Sequence, residues 1–327
     1  MFSNMEQPLV SICCITYNHA KYIRQCLEGF LMQKTSFSYE IVINDDCSTD
    51  GTTDVVREYE AKYPNLIVPI YHSENEYSKG IRGMFATYCF PRARGKYIAM
   101  CEGDDYWIDS LKLQKQVDFL ESHPDYVMCC SDAEIIVGNK VLDWGRYSNS
   151  QQVLVKDVIL GGGLFVQTAS LLYKTSLINS EDYPEAARKC HVGDYPLQIF
   201  AALKGKIYWF AEKQVAYRYQ SANSWTKNNL KLSIVEQIRG WKSEMEMLDS
   251  MDLLSAKEYT RYFTQRKVDF IYRKHLMYPK HHSLLEKHFG DIICQFSIKQ
   301  RAFCLIAATG TLEALRVIKK GIRRMVK

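Results

Sequence analysis

Paired carboxylates follow an apolar run near the middle of the chain. Residues 97–101 are apolar or β-forming enough to make a buried strand, and residues 102–105, Glu-Gly-Asp-Asp, follow with no apolar residue between them. Adjacent carboxylates at the mouth of a buried strand repel each other unless a cation or a hydrogen-bond network lies beside them. These residue types fit a divalent-metal site that holds a phosphate-bearing ligand. They fit equally a solvated loop in which Asp109 or Ser110 caps the next helix.

Short apolar runs alternate with segments of helical spacing through the first part of the chain. Strands are predicted at 9–15, 39–43, 66–71, 97–101 and 126–131, with helices at 22–32, 53–63, 83–93 and 110–122. The strand runs lack polar alternation, which is typical of a sheet that helices cover on both faces. The predicted fold class is therefore α/β, with a mostly parallel central sheet flanked by helices.

Three of these predicted strands end in polar residues. They are Thr16, Tyr17 and Asn18 after the first strand, Asp45 and Asp46 after the second, and Asp104 and Asp105 after the fourth. In open α/β sheets, ligands bind beyond the carboxyl ends of the strands, at a point where the strand order reverses. The convergence of three polar strand ends favours a binding site over a solvated loop.

The alternation of predicted strands and helices is less regular after residue 131. A strand is predicted at 164–173, a short helix at 198–204, and two further strands at 206–210 and 215–219. Strand signals disappear from about residue 227 onward, and helices are predicted at 230–247, 256–277 and 283–293. We place a domain boundary near Asn228, with an α/β domain over 1–228 and a helical extension over 229–327.

Composition and charge fit a folded protein of a reducing compartment. The 327 residues are 47% hydrophobic and carry a net charge of only +5, which does not indicate nucleic acid as a partner. The 11 cysteines lie largely in apolar runs, and no CxxC pair accompanies a histidine cluster, so zinc is not expected. Neither a signal peptide nor an 18-residue apolar run is visible, so the expected location is the cytoplasm.

The chain from residue 8 to about residue 225 resembles family 2 glycosyltransferases with the nucleotide-sugar-binding fold called GT-A, of a type found in bacterial polysaccharide assembly. Several motifs in the right order carry the resemblance. They are VSICCITYN at 10–18, INDDCSTDGT at 43–52, GKYIAMCEGDDYW at 95–107 and LQKQ at 113–116. The resemblance implies an inverting, metal-dependent transferase that uses a nucleoside-diphosphate sugar, usually of uridine, and a glycan or lipid-linked acceptor.

The same resemblance implies which residues bind the nucleotide. Ile15, Thr16 and Tyr17 would lie against the base, with Asn18 just after them. Asp46 is similar to the carboxylate that hydrogen-bonds the base. A turn residue beside a neighbouring serine is the alternative for Asp46, and the preceding Asp45 is expected to be structural.

The resemblance also implies the catalytic residues. Asp104 would face the ribose and the sugar, and Asp105 would bind the Mg²⁺ or Mn²⁺ that bridges the diphosphate. A hard cation on one or two carboxylates stabilises a leaving diphosphate. Asp194 matches the family's catalytic base, and the alternative is an N-cap that precedes Pro196.

One stretch departs from the family pattern. Relatives carry an asparagine between the third strand and Gly95, where this chain has Met84. We expect Arg82 or Lys79 to contact the diphosphate instead. Trp225 lies where relatives fold a loop over the donor.

The chain ends in a basic amphipathic segment. Its cationic residues recur at helical steps, and apolar residues fall mainly on the other face; the cations are Arg316, Lys319, Lys320, Arg323, Arg324 and Lys327. We expect residues 312–327 either to dock on an anionic membrane surface, on the inner face of the cell membrane, or to pack on the catalytic domain.

Two other functions compete with sugar transfer. A nucleotidyltransferase also pairs carboxylates with a nucleotide, but it needs a Gly-rich, cationic phosphate loop after the first strand, where this chain has Thr16-Tyr17-Asn18-His19-Ala20. A non-catalytic nucleotide-sugar-binding protein at the membrane would need the donor residues but no catalytic base.

Overall fold

The computed structural model describes residues 7–219, 221 and 224–308. The chain divides into two compact units, Met1–Leu232 and Ser233–Lys327. The sequence placed this boundary near Asn228. The predicted basic segment 312–327 lies outside the described residues.

The first unit is built on one twisted sheet. Within the described residues its strands are β1 (Val10–Thr16), β2 (Tyr39–Asp45), β3 (Ile67–Tyr71), β4 (Tyr97–Glu102), β5 (Tyr106–Trp107), β6 (Tyr126–Val137), β7 (Lys140–Leu142), β8 (Gln151–Val153), β9 (Leu172–Lys174) and β10 (Lys206–Arg218). Strands β1, β2, β3, β4, β6 and β10 run in one direction, and the short strands β5, β7, β8 and β9 run against them. The predicted mostly parallel sheet is confirmed.

The strand order brings the ends of β1 and β4 together. The sheet runs β3-β2-β1-β4-β9-β6-β10-β5, so the order reverses between β1 and β4. In the register of this pair, Ile15 lies opposite Glu102, and Thr16 lies opposite Asp45 on the other side of β1. The polar residues that follow three strands therefore share one edge of the sheet, as predicted.

The first unit also contains helices, several of which pack on the sheet. They are α1 (Ile23–Leu31), α2 (Thr52–Lys62), α3 (Lys112–Ser122), α4 (Val155–Gly161), α5 (Thr175–Ile178), α6 (Glu185–Arg188), α7 (Asp194–Lys204) and α8 (Trp225–Lys231). Apolar side chains of α1 and α3 pack on the sheet in a continuous core that includes Phe30, Leu113 and Trp107. The Trp107 indole is buried and donates to the Ala169 carbonyl, so it packs in the core.

Three predicted elements differ from the structure. The apolar run at 164–173 forms a strand only at β9, because its preceding backbone turns locally in the short 3₁₀ helices Gly162–Leu164 and Thr168–Ser170. The two predicted strands 206–210 and 215–219 are one strand, β10, whose register shifts absorb the polar residues between them. The predicted helix 83–93 is a π-helical turn, Phe85–Cys89, followed by the 3₁₀ helix Phe90–Arg92, since Pro91 cannot donate in a regular helix.

The second unit is helical over the residues that are described. Its helices are α9 (Ile234–Leu254), α10 (Thr260–Met277), α11 (His282–Ile293) and α12 (Ile298–Ala308). A capping box of Ser233 and Glu236 begins α9, which is why the predicted helix 230–247 is divided between α8 and α9. No helix within the described residues is both long and apolar enough to cross a membrane.

The cysteines behave as predicted for reduced, small apolar residues. No disulfide bond joins any of the 11 cysteines, all of which lie within the described residues, and 9 of them are buried. Cys294 is exposed, and Cys47 is partly exposed in the loop between β2 and α2, where it adopts a φ of 60°. The thiols therefore contribute to packing rather than to covalent cross-links.

Candidate active site

The loops that follow β1 and β2 are hydrogen-bonded to each other. The backbone N–H of Asn18 donates to Ser48 Oγ over 2.9 Å, and that of His19 donates to Thr52 Oγ1 over 2.8 Å. The N–H of Thr49 returns a bond of 2.8 Å to Asn18 Oδ1. Asn18 takes a left-handed φ of 55°, which asparagine tolerates better than most residues. Its side chain thus holds the two loops together, a role that the sequence did not reveal.

Asp45 and Asp46 have different environments. The carboxylate of Asp45 accepts from the N–H and hydroxyl of Ser48 and from the hydroxyl of Thr53, so it organises the turn that begins α2. Asp46 instead accepts backbone N–H bonds from Glu76 over 2.7 Å and from Tyr77 over 3.1 Å. Each Asp46 oxygen retains a second lone-pair direction for another donor.

Glu102, Asp104 and Asp105 form a cluster of carboxylates at the end of β4. Each offers an oxygen, and these oxygens lie within 4.8 Å of one another. Asp105 is fully buried. Its Oδ1 accepts from the backbone N–H of Arg218 over 2.8 Å, but its buried Oδ2 has no hydrogen-bond partner. An unpaired buried carboxylate oxygen is costly, and it suits a cation ligand.

Two carboxyl groups of the cluster have raised pKa values. Burial raises the pKa of Glu102 to about 8, with further contributions from the charges of Asp104 and Asp194. Burial also raises the pKa of Asp105 well above its usual range, and the charges of Asp104 and Glu102 act in the same direction. A divalent cation would reverse the repulsion that causes part of these shifts. The donor set of three carboxylates therefore fits a hard cation.

Gly103 allows the ends of β1 and β4 to meet. A Cβ on Gly103 would lie 2.6 Å from Thr16 Oγ1 and 3.0 Å from His19 Nδ1. Thr16 Oγ1 and His19 Nδ1 are themselves 3.2 Å apart. Burial lowers the pKa of His19, although the negative charge of Asp104 opposes this effect. The glycine brings the acidic turn into contact with the loop predicted to bind the nucleotide.

The end of β10 supplies residues that the sequence interpretation missed. The Arg218 guanidinium donates to the Asp104 carbonyl, and the Ser221 hydroxyl donates to Asp104 Oδ2 over 2.6 Å. Burial raises the pKa of Tyr217, and the negative charges of Asp105 and Glu102 raise it further. Tyr217 and Arg218 lie within the predicted strand 215–219 and Ser221 lies just after it, so their place at the end of a strand was the signal that the sequence offered.

Asp194 is the first residue of α7 and faces the carboxylate cluster closely enough to raise the pKa of Glu102. Gly193 precedes the helix, and no side-chain cap bond is formed there. Asp194 therefore lies one residue inside the helix, and the N-cap position belongs to Gly193. Asp194 Oδ2 lies 3.4 Å from Gln198 Nε2 and 3.5 Å from Thr168 Oγ1.

Three other residues predicted to bind the nucleotide or its diphosphate differ in their exposure and contacts. Ile15 is partly buried at the end of β1, whereas the Tyr17 side chain is 40% exposed. Arg82 folds back on its own loop, where it donates to the carbonyls of Tyr77 and Ile81 and lies over the Tyr77 ring. The structure therefore does not bring Arg82 to the carboxylate cluster.

The segments around the site also meet through aromatic residues. Trp225 Nε1 donates to the Tyr77 hydroxyl over 3.0 Å, and the Trp225 ring lies 5.7 Å from that of His191. Met84, which replaces the expected asparagine, is buried. Lys79 pairs with Glu74 and Glu76 rather than with the cluster.

Comparison with known proteins shows the same architecture elsewhere. The crystal structure of Staphylococcus aureus TarS 1–349 in complex with UDP-GlcNAc superposes with a TM-score of 0.65 at 18% identity, covering 96% of this chain and 91% of that one. This structural similarity shows that this chain has the GT-A fold.

Relatives by sequence cover part of the chain. An uncharacterized Mycobacterium tuberculosis protein is 34% identical over 223 residues, which is 66% of this chain and 60% of that protein. The Bacillus subtilis protein named as the putative teichuronic acid biosynthesis glycosyltransferase TuaG is 37% identical over 114 residues, 35% of this chain and 42% of that protein. This chain thus spans less than two thirds of the length of these relatives. Residues 11–179, more than half of the chain, match the family described as Glycosyl transferase family 2. The protein with this carboxylate cluster and sheet therefore belongs to glycosyl transferase family 2.

Proposed function

We propose that this glycosyltransferase is inverting and metal-dependent, and that it moves a sugar from a UDP-sugar to a hydroxyl of a glycan or lipid-linked acceptor in surface polysaccharide assembly. The observation that carries the proposal is the fully buried, unpartnered Asp105 Oδ2 within a three-carboxylate cluster at the reversal of strand order. The similarity to a UDP-GlcNAc-bound structure and to a protein named for teichuronic acid biosynthesis supports the donor and the pathway class.

The nucleotide would lie along the loops after β1 and β2. Ile15, Thr16 and Tyr17 flank the base, and Asp46 accepts a hydrogen bond from a base N–H. Asp46 is held for this role by the N–H groups of Glu76 and Tyr77, which fix its orientation. An oriented buried carboxylate discriminates a base that offers a donor from one that does not.

The metal site would be held by Asp105 through Oδ2, with Asp104 beside it on the donor side. Mg²⁺ or Mn²⁺ bound there supplies positive charge that stabilises the leaving diphosphate. The Ser221 hydroxyl donates to Asp104 Oδ2, so this contact orients the carboxylate and does not use Asp104 Oδ1.

Asp194 would accept the proton of the acceptor hydroxyl as that oxygen attacks the anomeric carbon. Direct attack by the acceptor inverts the configuration. Gln198 and Thr168 lie near Asp194 Oδ2 and limit its rotation. General-base catalysis of this kind contributes a factor of about 10²–10⁴ to the rate.

The two variants Asp194→Asn and Asp105→Ala test this assignment. Asp194→Asn should retain Mn²⁺-dependent UDP binding by calorimetry and lose transfer by about 10²–10⁴-fold. Asp105→Ala should lose the metal dependence of UDP binding. Full transfer activity of Asp194→Asn would point to a different base, and absence of transfer in the parent would point to the non-catalytic binding protein. Intact metal-dependent binding by Asp105→Ala would refute the metal site.

The donor sugar is best identified by a screen. Each nucleotide sugar is incubated with the protein and Mn²⁺, and both donor hydrolysis and the thermal midpoint are measured. A UDP-sugar should give the largest stabilisation. A larger shift with guanosine or cytidine donors would contradict the assignment of uracil to Asp46.

The proposed partner at the C-terminus is an anionic membrane surface on the cytoplasmic side. Residues 309–327 contain six basic residues and one acidic residue, a net +5 that equals the formal charge of the whole chain. Helix α12 directly precedes them and exposes Ile298, Leu305 and Ile306. Basic residues near an anionic leaflet contribute roughly 1 kcal/mol each. Deletion of residues 312–327 should abolish flotation with phosphatidylserine vesicles, and failure of the intact protein to float would overturn this partner.

A further inference from the structure

Arg218 contacts three successive residues of the acidic turn. Its backbone N–H donates to Asp105 Oδ1 over 2.8 Å, and its guanidinium donates through Nη1 to the Asp104 carbonyl. The same guanidinium lies over the ring of Tyr106, 4.5 Å from the ring centroid. The backbone of Arg218 thus orients the Asp105 carboxylate, and its side chain holds the neighbouring residues of the turn that carries the proposed metal ligand.

The other side of the guanidinium is anchored to the start of α1. Nη2 donates to Gln25 Oε1, and the guanidinium carbon lies 4.8 Å from the centroid of the Tyr22 ring. Tyr22 and Gln25 follow the loop that we assign to the nucleotide. Arg218 therefore connects the nucleotide side of the site to the carboxylate side.

We propose that Arg218 is the positioning residue of the metal-binding turn and sets the affinity of Asp105 for the divalent cation. The inference rests on the metal site of the proposed function. The N–H of Arg218 occupies Asp105 Oδ1, so that Oδ2 is the oxygen left for the cation. The guanidinium donates to the backbone carbonyl of Asp104 and not to its carboxylate. It therefore does not occupy the carboxylate oxygens of Asp104.

The positive charge of the Arg218 guanidinium also lowers the repulsion within the carboxylate cluster. Three clustered carboxylates repel one another, and a fixed guanidinium beside them offsets this repulsion before the metal binds. Because its hydrogen bonds go to a carbonyl and an amide, the arginine does not compete with the metal for Asp105 Oδ2. Lysine cannot reproduce a planar, two-sided contact between aromatic rings with two directed N–H groups.

The experiment measures Mn²⁺ affinity directly, by electron paramagnetic resonance of free Mn²⁺ in the presence of UDP. Arg218→Lys should weaken Mn²⁺ binding by about 10- to 100-fold, the range for residues that orient a metal ligand. Gln25→Ala, at an exposed position of α1, should weaken it by a smaller factor because it removes the Nη2 partner alone. At saturating Mn²⁺, most of the parent kcat should return in Arg218→Lys.

Arg24→Lys is the matched control. Arg24 lies on the same helix as Gln25 and also makes a forked contact, to Glu58, and a contact with an aromatic ring, that of Tyr59. Its substitution should leave Mn²⁺ affinity unchanged.

The outcomes separate this inference from the proposed function. If the parent protein binds no Mn²⁺ with UDP, both the metal site and the role of Arg218 are wrong. If the parent binds Mn²⁺ and Arg218→Lys binds it equally well, the role of Arg218 alone is wrong. A low kcat that saturating Mn²⁺ does not restore, at unchanged affinity, would assign Arg218 to the donor instead. Should Arg218→Lys fail to fold, the result with Gln25→Ala decides: unchanged Mn²⁺ affinity overturns the inference.

Discussion

Gly103 and Thr16 approach each other so closely that a methyl group on the glycine would lie 2.6 Å from Thr16 Oγ1. Gly103→Ala must therefore push the β1 loop away from the acidic turn. We expect a loss of about 1–3 kcal/mol in unfolding free energy, as for other overpacked sites, together with weaker UDP binding. Thermal denaturation and calorimetry measure the two effects. Gly163→Ala is the control, because its nearest neighbour would be 3.9 Å away. Equal behaviour of the two variants would contradict the prediction.

Asp45 and Asp46 should respond to the same substitution in different ways. Asp45→Asn replaces one carboxylate oxygen by an NH₂ donor, so either Ser48 or Thr53 loses its acceptor, and the unfolding free energy should fall by about 1–3 kcal/mol. Asp46→Asn should mainly weaken UDP binding, by about tenfold or more, since a hydrogen bond to a charged group contributes roughly 1.5–3 kcal/mol. Denaturant titration and calorimetry on both variants provide the comparison. A larger loss of UDP affinity in Asp45→Asn than in Asp46→Asn, at unchanged stability, would reverse the assignment.

Asp105→Asn should make the metal-free protein more stable. The parent side chain is a fully buried carboxylate beside Asp104 and Glu102, and its pKa is raised, so its charged form disfavours the folded state as pH rises above the usual carboxyl range. An amide still accepts the Arg218 N–H bond and carries no charge. We expect a gain of about 0.5–2 kcal/mol, typical of neutral replacements at strained functional sites.

The same Asp105→Asn variant should lose the thermal shift that Mn²⁺ and UDP produce together in the parent. Differential scanning calorimetry at pH 7.5, with and without Mn²⁺ and UDP, tests both statements. A less stable metal-free variant, or an undiminished shift, would show that Asp105 is not a strained metal ligand.

Lys112 gives the protein a distinctive pH dependence. It is fully buried, donates to Gln116 Oε1 over 3.0 Å and lies over the Trp107 ring; burial lowers its pKa to about 7. Between pH 7 and the usual lysine pKa, the unfolded chain binds the proton and the folded chain does not, so stability rises with pH. The rise from pH 7 to 9 should be about 2 kcal/mol.

Lys112→Met should remove that rise, as measured by urea denaturation at pH 7, 8 and 9. Lys115→Met, on the same helix, is the control, because Lys115 pairs with Asp109 and Glu212 near the surface and its pKa is raised. The control should keep the slope of the parent. A parent protein with flat stability over this range would show that Lys112 stays charged in the folded state.

The parallel sheet could be predicted because its strands are apolar throughout and are separated by helices of ordinary length. The three polar strand ends followed from the same reasoning, since parallel strands share one carboxyl edge. This places Thr16, Asp46 and Asp105 together without any knowledge of contacts. The resemblance to a family then supplied roles for these residues and for Asp194.

Contacts that close over long sequence separations could not be predicted. Arg218 meets Asp104 and Gln25 because β10 pairs antiparallel with β5, where Ala216 lies opposite Tyr106, the residue directly after the acidic turn. The contacts of Arg82 without ligand could not be predicted either. A cation near the expected phosphate site has many possible partners, and here the carbonyls of its own loop satisfy it.

The arrangement of the thiols makes the site open to chemical labelling. Nine of the 11 cysteines are buried, so a solvent-borne alkylating reagent would meet chiefly Cys294 and Cys47. In a Cys294→Ser protein, Cys47 would carry nearly all of the label, directly beside Asp46. A fluorophore there would report nucleotide occupancy in real time, and the rate of its attachment would fall as the site fills.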